Sequence, residues 1–245
     1  MTGHDLPRGP YGPVAFDEIV VGDTETTGLH PMGVTEDGVP SGDLHGPDRL
    51  CSAHFTVMAR EGGSWRAVRS MGFICDPGRP VPESAARVNG FHWSGDSSAK
   101  PPGRVELLFQ ESFSEMAVPM LRFLGARPLL FHNAVFDISV LDAEMARVGM
   151  SPLAGPILCT KKSFAEIMGL GRPERYVPGT NLNTLCARLG VNTSTRFASD
   201  GTELHGAAVD SALAGACFSI LEPLGWMLTE RSGDLPHRRG SAPRP

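Results

Sequence analysis

Apolar positions fall into short blocks along this chain, and their spacing changes character after Pro77. Ile19, Val20 and Val21 are contiguous β-branched residues within Asp17 to Asp23, which predicts a strand buried on both faces. A segment dense in Gly, Pro and Asp follows and reads as a loop. Next, SAHFTVMAR and SWRAVRSMGFI flank Glu61-Gly62-Gly63, the pattern of two strands joined by a tight turn. These three strands predict an antiparallel meander. Beyond Pro77 the spacing becomes helical. One helix opens at Pro82, and a second covers Ser112 to Leu124, with Pro119 marking a kink or an early stop. Pro128 to Phe131 predicts a short strand, followed by a helix from about Val135 to Val148 on which Asp142 and Glu144 face solvent. Further helices are expected over 161–169, 181–189 and 209–221, with Asn181 and Asp210 as caps of the last two. Strands first, then strands alternating with helices, predict an α/β fold: a mixed sheet with helices on its faces.

Composition narrows the function more than the fold. The chain has 245 residues, 41% of them hydrophobic, enough for one sizeable core. With 22 Lys and Arg against 27 Asp and Glu, the formal charge is -5. That balance argues against broad electrostatic binding to duplex nucleic acid, although a strand end held through metal ions needs no basic surface. The five cysteines are scattered and never spaced as CxxC, which predicts free thiols in a reducing compartment. Cys51 and His54 form the sole close Cys/His pair and have no second pair, so a zinc site is not expected. No signal peptide or membrane-length apolar run is visible, and a cytoplasmic protein without membrane contact is expected. Residues 1–14 and 229–245 read as flexible ends around one domain, 15–228.

Candidate chemistry lies in three short acidic motifs. In Asp23-Thr24-Glu25, residues i and i+2 at the end of a strand point the same way, so two carboxylates address one spot. Like charges so close repel or trap a proton, and divalent cations remove that penalty. The second motif is His132-Asn133-Ala134-Val135-Phe136-Asp137, where an apolar strand enters a helix. The third is His205-Gly206-Ala207-Ala208-Val209-Asp210, which precedes an apolar helix. Taken singly, each has a plain alternative: a solvated turn for the first, a first-turn charge for Asp137, a cap for Asp210. His132 reads as a satisfied core or loop histidine.

As a set, these motifs resemble the DEDDh 3′-5′ exonucleases, in particular the DNA polymerase III epsilon subunit-like proofreading exonucleases. Asp23 and Glu25 match the first motif of that family, Asp137 the second, and His205 with Asp210 its H-x4-D third motif. Pro77 to Phe91, Asn181 to Leu185 and Leu189-Gly190 add similarity, so the resemblance spans about residues 17–221. The segment from His30 to about Leu50 is longer than the family's usual connection, and Cys159-Thr160 stands where relatives often have Asp-Thr. The resemblance implies a ribonuclease H-like mixed sheet flanked by helices. It also implies Asp23, Glu25, Asp137 and Asp210 as ligands of two Mg²⁺ or Mn²⁺ ions, Asp23 bridging both, and His205 as general base. The expected reaction is hydrolysis at the 3′ end of single-stranded or frayed DNA, with release of nucleoside monophosphates in proofreading or repair. RNA trimming and a polymerase-associated binding module of the same fold are the alternatives, and a DNA polymerase subunit is the expected partner. Thr24, Thr26, Leu29, Phe91, Asn133 and Phe136 are the candidates for gripping the terminal nucleotide, with core packing the alternative for Phe91 and Phe136. Lys161, Lys162, Arg172 and Arg175 are candidate phosphate contacts or solvated surface charges.

Overall fold

The computed structural model describes residues 6–31, 47–93, 95–96, 100–173, 177–196, 206–231 and 233. Among the described residues, eight strands and six α-helices follow one another in the order β1 (Glu18–Thr26), β2 (Leu50–Glu61), β3 (Ser64–Ile74), α1 (Glu83–Asn89), β4 (Phe91–His92), β5 (Val105–Glu106), α2 (Phe113–Leu124), β6 (Leu129–Phe131), α3 (Ala134–Arg147), β7 (Pro156–Cys159), α4 (Thr160–Ile167), α5 (Leu182–Leu189), α6 (Ala207–Leu221) and β8 (Glu230–Arg231). The main sheet runs β3-β2-β1-β6-β7-β8, and β4 pairs with β5 separately. β1, β2 and β3 form the expected antiparallel meander, with Gly62 and Gly63 at positive φ supplying the turn that only glycine adopts freely. β6 and β7 then join β1 in parallel.

Alternation along β1 sets the two faces of the sheet. Val20 packs into a cluster with Phe55, Phe131 and the apolar faces of α2 and α3, whereas Ile19 and Val21 pack on the other side with residues of α4, α5 and α6. The strand is therefore sandwiched between two helical layers, which explains its unbroken aliphatic run. Gly22 lets the rings of Phe131 and Phe55 lie against the backbone: a Cβ there would come within 2.5 Å of Phe131 and 2.9 Å of Phe55. The strand thus enters its charged end between two aromatic rings.

Several expectations need correction. Asp142 and Glu144 do not face solvent. Glu144 is buried and receives Arg49 Nε at 2.8 Å, Arg147 Nη1 at 2.8 Å and the Leu50 N–H at 3.1 Å, while Asp142 accepts the Leu153 N–H at 3.0 Å. Buried charges persist only when paired in this way. Asp210 is not a cap, because Gly206 holds that position and Asp210 falls in the first turn of α6. Asn181 does cap α5, accepting the Thr184 N–H at 2.9 Å. Pro119 sits inside α2 without ending it, since buried Phe113, Ala117, Met120 and Leu124 hold the helix on both sides of it. The N-terminal arm is docked over its described part. Gly9 and Tyr11 donate backbone N–H groups to Leu224 and Gly225, Tyr11 Oη donates to Glu166 at 2.8 Å, and Leu6 and Val14 are buried. Within 229–245, Glu230 and Arg231 pair with β7 as the last strand of the sheet.

Candidate active site

The parity that separates Val20 from Val21 continues into the acidic end of β1. Asp23 and Glu25 continue the Ile19/Val21 face, which α6 covers, and Asp210 in the first turn of α6 meets them there. Carboxylate oxygens of Asp23, Glu25 and Asp210 lie within 4.8 Å of one another. Thr24 continues the opposite face and meets α3, where Asp137 also sits in the first helical turn. Asp137 Oδ1 accepts the Thr24 backbone N–H at 3.1 Å and the Thr24 hydroxyl at 2.8 Å. The four carboxylates line one cleft together with His132, Asn133, Phe136, Lys161, Asn181, Leu182, Asn183 and Arg196. One strand end and two helix starts, carrying residues 23–25, 137 and 210, thus form a single acidic wall.

The electrostatics follow from that crowding. Burial, then the charges of Asp137, Glu25 and Asp210, push the Asp23 carboxyl well above the usual range, and Arg196 acts in the opposite sense. Burial also lifts Asp137 to about 7, against the pull of its two Thr24 hydrogen bonds. Hard oxygen donors this close, and carboxyl groups that resist ionising beside one another, fit a divalent cation. His132 is a satisfied internal histidine, as expected. Its Nε2 donates to the Thr180 carbonyl at 3.0 Å, leaving Nδ1 to accept from Thr160 Oγ1 at 3.0 Å, and burial pushes it down to about 4.

Arg196 was not legible in the sequence. It ends the 3₁₀ turn Ser194–Arg196, is 3% exposed, and lies against Asp210 with Nε donating to Oδ1 at 2.8 Å and Nη2 donating to Oδ2. Nothing local distinguishes it from the chain's surface arginines; only burial beside a carboxylate does. Of the candidate substrate contacts, Thr24, Asn133 and Phe136 line the cleft. Thr26 instead turns its hydroxyl onto the Gly28 carbonyl, Leu29 is 74% exposed, and Phe91 is buried with Cys51 and Leu107 in a small separate core. Thr27 and Gly28 close the turn on Asp48, whose carboxylate accepts the Thr27 hydroxyl at 2.9 Å and would collide with any Cβ at Gly28. Lys161 reaches the cleft, its Nζ 3.4 Å from Asn133 Oδ1. Lys162 and Arg172 are engaged with Glu230 and Glu166. His205 and Arg175 lie outside the described residues. All five cysteines are free thiols; His54 bonds Ser211 on α6, and Cys51 packs in the small core. Among the described residues no helix is long and apolar enough to cross a membrane.

No family model matches the chain. It is 26% identical over 204 residues to the DNA polymerase III epsilon subunit of Haemophilus influenzae, covering 82% of this chain and 66% of that one. It is 25% identical over 201 residues to the epsilon subunit of Escherichia coli, covering 81% and 69%. Among solved structures, the nuclease domain of 3′hExo, a DEDDh family member bound to rAMP, superposes with a TM-score of 0.62 at 12% identity, over 90% of this chain and 99% of that one. E. coli exonuclease I in complex with single-stranded DNA matches with a TM-score of 0.59 at 17% identity, over 84% and 40%. The chain spans about two thirds of the length of these epsilon subunits and two fifths of exonuclease I. The structural likenesses establish the ribonuclease H-like fold, and the sequence similarity covers about four fifths of the chain. The chain is therefore similar in sequence to polymerase III epsilon subunits and in fold to a DEDDh family nuclease domain.

Proposed function

We propose that this protein is a divalent-metal-dependent 3′-5′ exonuclease that shortens single-stranded or frayed DNA and releases nucleoside monophosphates. The observation that carries this reading is the Asp23, Glu25 and Asp210 cluster, with its carboxylate oxygens within 4.8 Å of one another. Asp23, Glu25, Asp137 and Asp210 are the residues that would hold two ions, Mg²⁺ or Mn²⁺ being suited to all-oxygen donors. Bound there, such ions supply Lewis acidity that activates water and offsets charge on the departing 3′ oxygen. Thr24 orients Asp137 through two hydrogen bonds. Asn133, Phe136 and Lys161, on the wall of the cleft, contact the terminal nucleotide and its phosphate. His205, which matches the histidine of the third motif, takes the proton from the attacking water. DNA is favoured as substrate because the relatives are subunits of a DNA polymerase and exonuclease I is seen with single-stranded DNA. The rAMP in the 3′hExo structure favours a second reading, trimming of RNA ends.

Digestion of 5′-labelled DNA and RNA strands of one sequence by the full chain, with Mg²⁺, Mn²⁺ or chelator, tests both readings. The expected result is stepwise shortening of DNA from the 3′ end with either ion, none with chelator, and none for Asp23→Ala or Asp210→Ala. Robust cleavage by both variants would overturn the metal site, and preferential loss of RNA would select the second reading. A role in proofreading, in the cytoplasm beside a polymerase, is the cellular setting the relatives favour. Co-purification with a polymerase subunit, with and without residues 231–245, tests it.

A further inference from the structure

Arg196 holds an unusual place for a cation. Its guanidinium lies side-on against Asp210 and engages both carboxylate oxygens, while Nη1 donates to Asn183 Oδ1 on α5. The same Asp210 carboxylate is one corner of the cluster with Asp23 and Glu25. Arginine does not lose its proton in proteins, so this positive charge is permanent. A planar fork on two oxygens is the strongest ion-pair geometry available, and burial of Arg196 at 3% exposure removes most of the screening that would weaken it. Both Asp210 oxygens therefore already accept from another cation, whose charge a divalent ion would meet at this carboxylate.

Resting on the metal-dependent reading above, we propose that Arg196 is a positioning residue that competes with the divalent ion for Asp210. It aims and neutralises the carboxylate while the cluster holds no ion, and an incoming ion takes at least one Asp210 oxygen from it. Asn183 keeps the guanidinium anchored to α5 during that exchange, so the pair re-forms when the ion leaves. The consequence is a site that binds its ions less tightly than four carboxylates alone would, because a fixed positive charge stands a few ångströms from the ion and opposes it.

The test is Mn²⁺ binding to metal-stripped full-length protein without substrate, read from the electron paramagnetic resonance signal of free Mn²⁺. Arg196→Gln, which removes the charge, is expected to bind Mn²⁺ about tenfold more tightly than wild type. Arg196→Lys, which keeps the charge but loses the fork and opens one oxygen of Asp210, is expected to bind roughly threefold more tightly. Unchanged or weaker binding in a folded Arg196→Gln protein overturns the competition and makes Arg196 a purely structural partner. Should that variant not fold by circular dichroism, unchanged or weaker binding by Arg196→Lys overturns it equally. Wild-type protein that binds no Mn²⁺ would instead sink the metal-dependent reading itself.

Discussion

Thr24 is the residue between the two carboxylates of the first motif, and its importance comes from facing away from them. Its hydroxyl and backbone N–H hold Asp137 at 2.8 and 3.1 Å and favour the ionised carboxylate against a burial cost that lifts it to about 7. Thr24→Val removes the hydroxyl and raises Asp137 further, so activity at pH 7 should fall by about tenfold and recover in part at higher pH. A pH–rate profile identical to wild type would remove Thr24 from that role. His132 has the opposite shift. Its folded-state value is depressed to about 4, so its contribution to stability is complete above its ordinary value near 6.5 and is lost as pH falls from there toward 4. Urea unfolding at pH 7 and pH 5 should show a smaller acid-induced loss for His132→Gln than for wild type. Asp137 favours folding in the other direction, toward low pH, but does so in both proteins and cancels in the comparison. Asp23, Glu25 and Asp210, singled out in the sequence by their spacing in short motifs, do come together in the fold, with carboxylate oxygens within 4.8 Å of one another. Glu144 was misread as a surface charge because Arg49 and the Leu50 N–H, which join the neighbouring Arg147 in satisfying it, come from 95 and 94 residues away.

β1 organises the site because it is at once the centre of the core and the carrier of its charges. Strict alternation sends Asp23 and Glu25 toward α6 and Thr24 toward α3, and a one-residue slip would exchange them. Gly22 holds that register between the rings of Phe131 and Phe55. Gly22→Ala should therefore cost roughly 2 kcal/mol by overpacking, measurable as a lower denaturant midpoint with an unchanged slope. Wild-type stability in that variant would mean the rings move aside freely. α3 and α6 play equivalent parts, each placing an aspartate in its first turn, where the helix dipole supports a negative charge. The helices could be predicted from apolar spacing. β7 could not, since Pro156 to Cys159 is a short apolar stretch whose strand character depends on pairing with β6 and β8.

For the molecule as a whole, the N-terminal arm matters more than its Gly- and Pro-rich sequence implies. Backbone bonds from Gly9 and Tyr11 to Leu224 and Gly225 tie it to the turn after α6, and Val14 donates its N–H to the buried Glu222, which also receives Arg60 and the Trp65 indole. Deleting residues 1–14 should lower the melting temperature by roughly 5–10 °C through loss of the Leu6 and Val14 burial and of these bonds. An unchanged transition would show the arm to be dispensable. The chain's net charge of -5 is matched locally in the cleft, whose lining sets four carboxylates against Lys161 and Arg196.

Sequence alone determined which residues are acidic at the ends of β1 and the starts of α3 and α6, and periodicity determined that those segments form strand and helices. These are local properties, set by spacing of 2.0 or 3.6 residues and by turn chemistry. Only the tertiary structure decided that Asp210 is shared between the carboxylate cluster and Arg196, that Asp137 answers to Thr24, and that Phe91 belongs to a core rather than to the cleft. Those outcomes depend on which elements pack together, and ion pairing and desolvation are properties of neighbours that the chain brings from far apart.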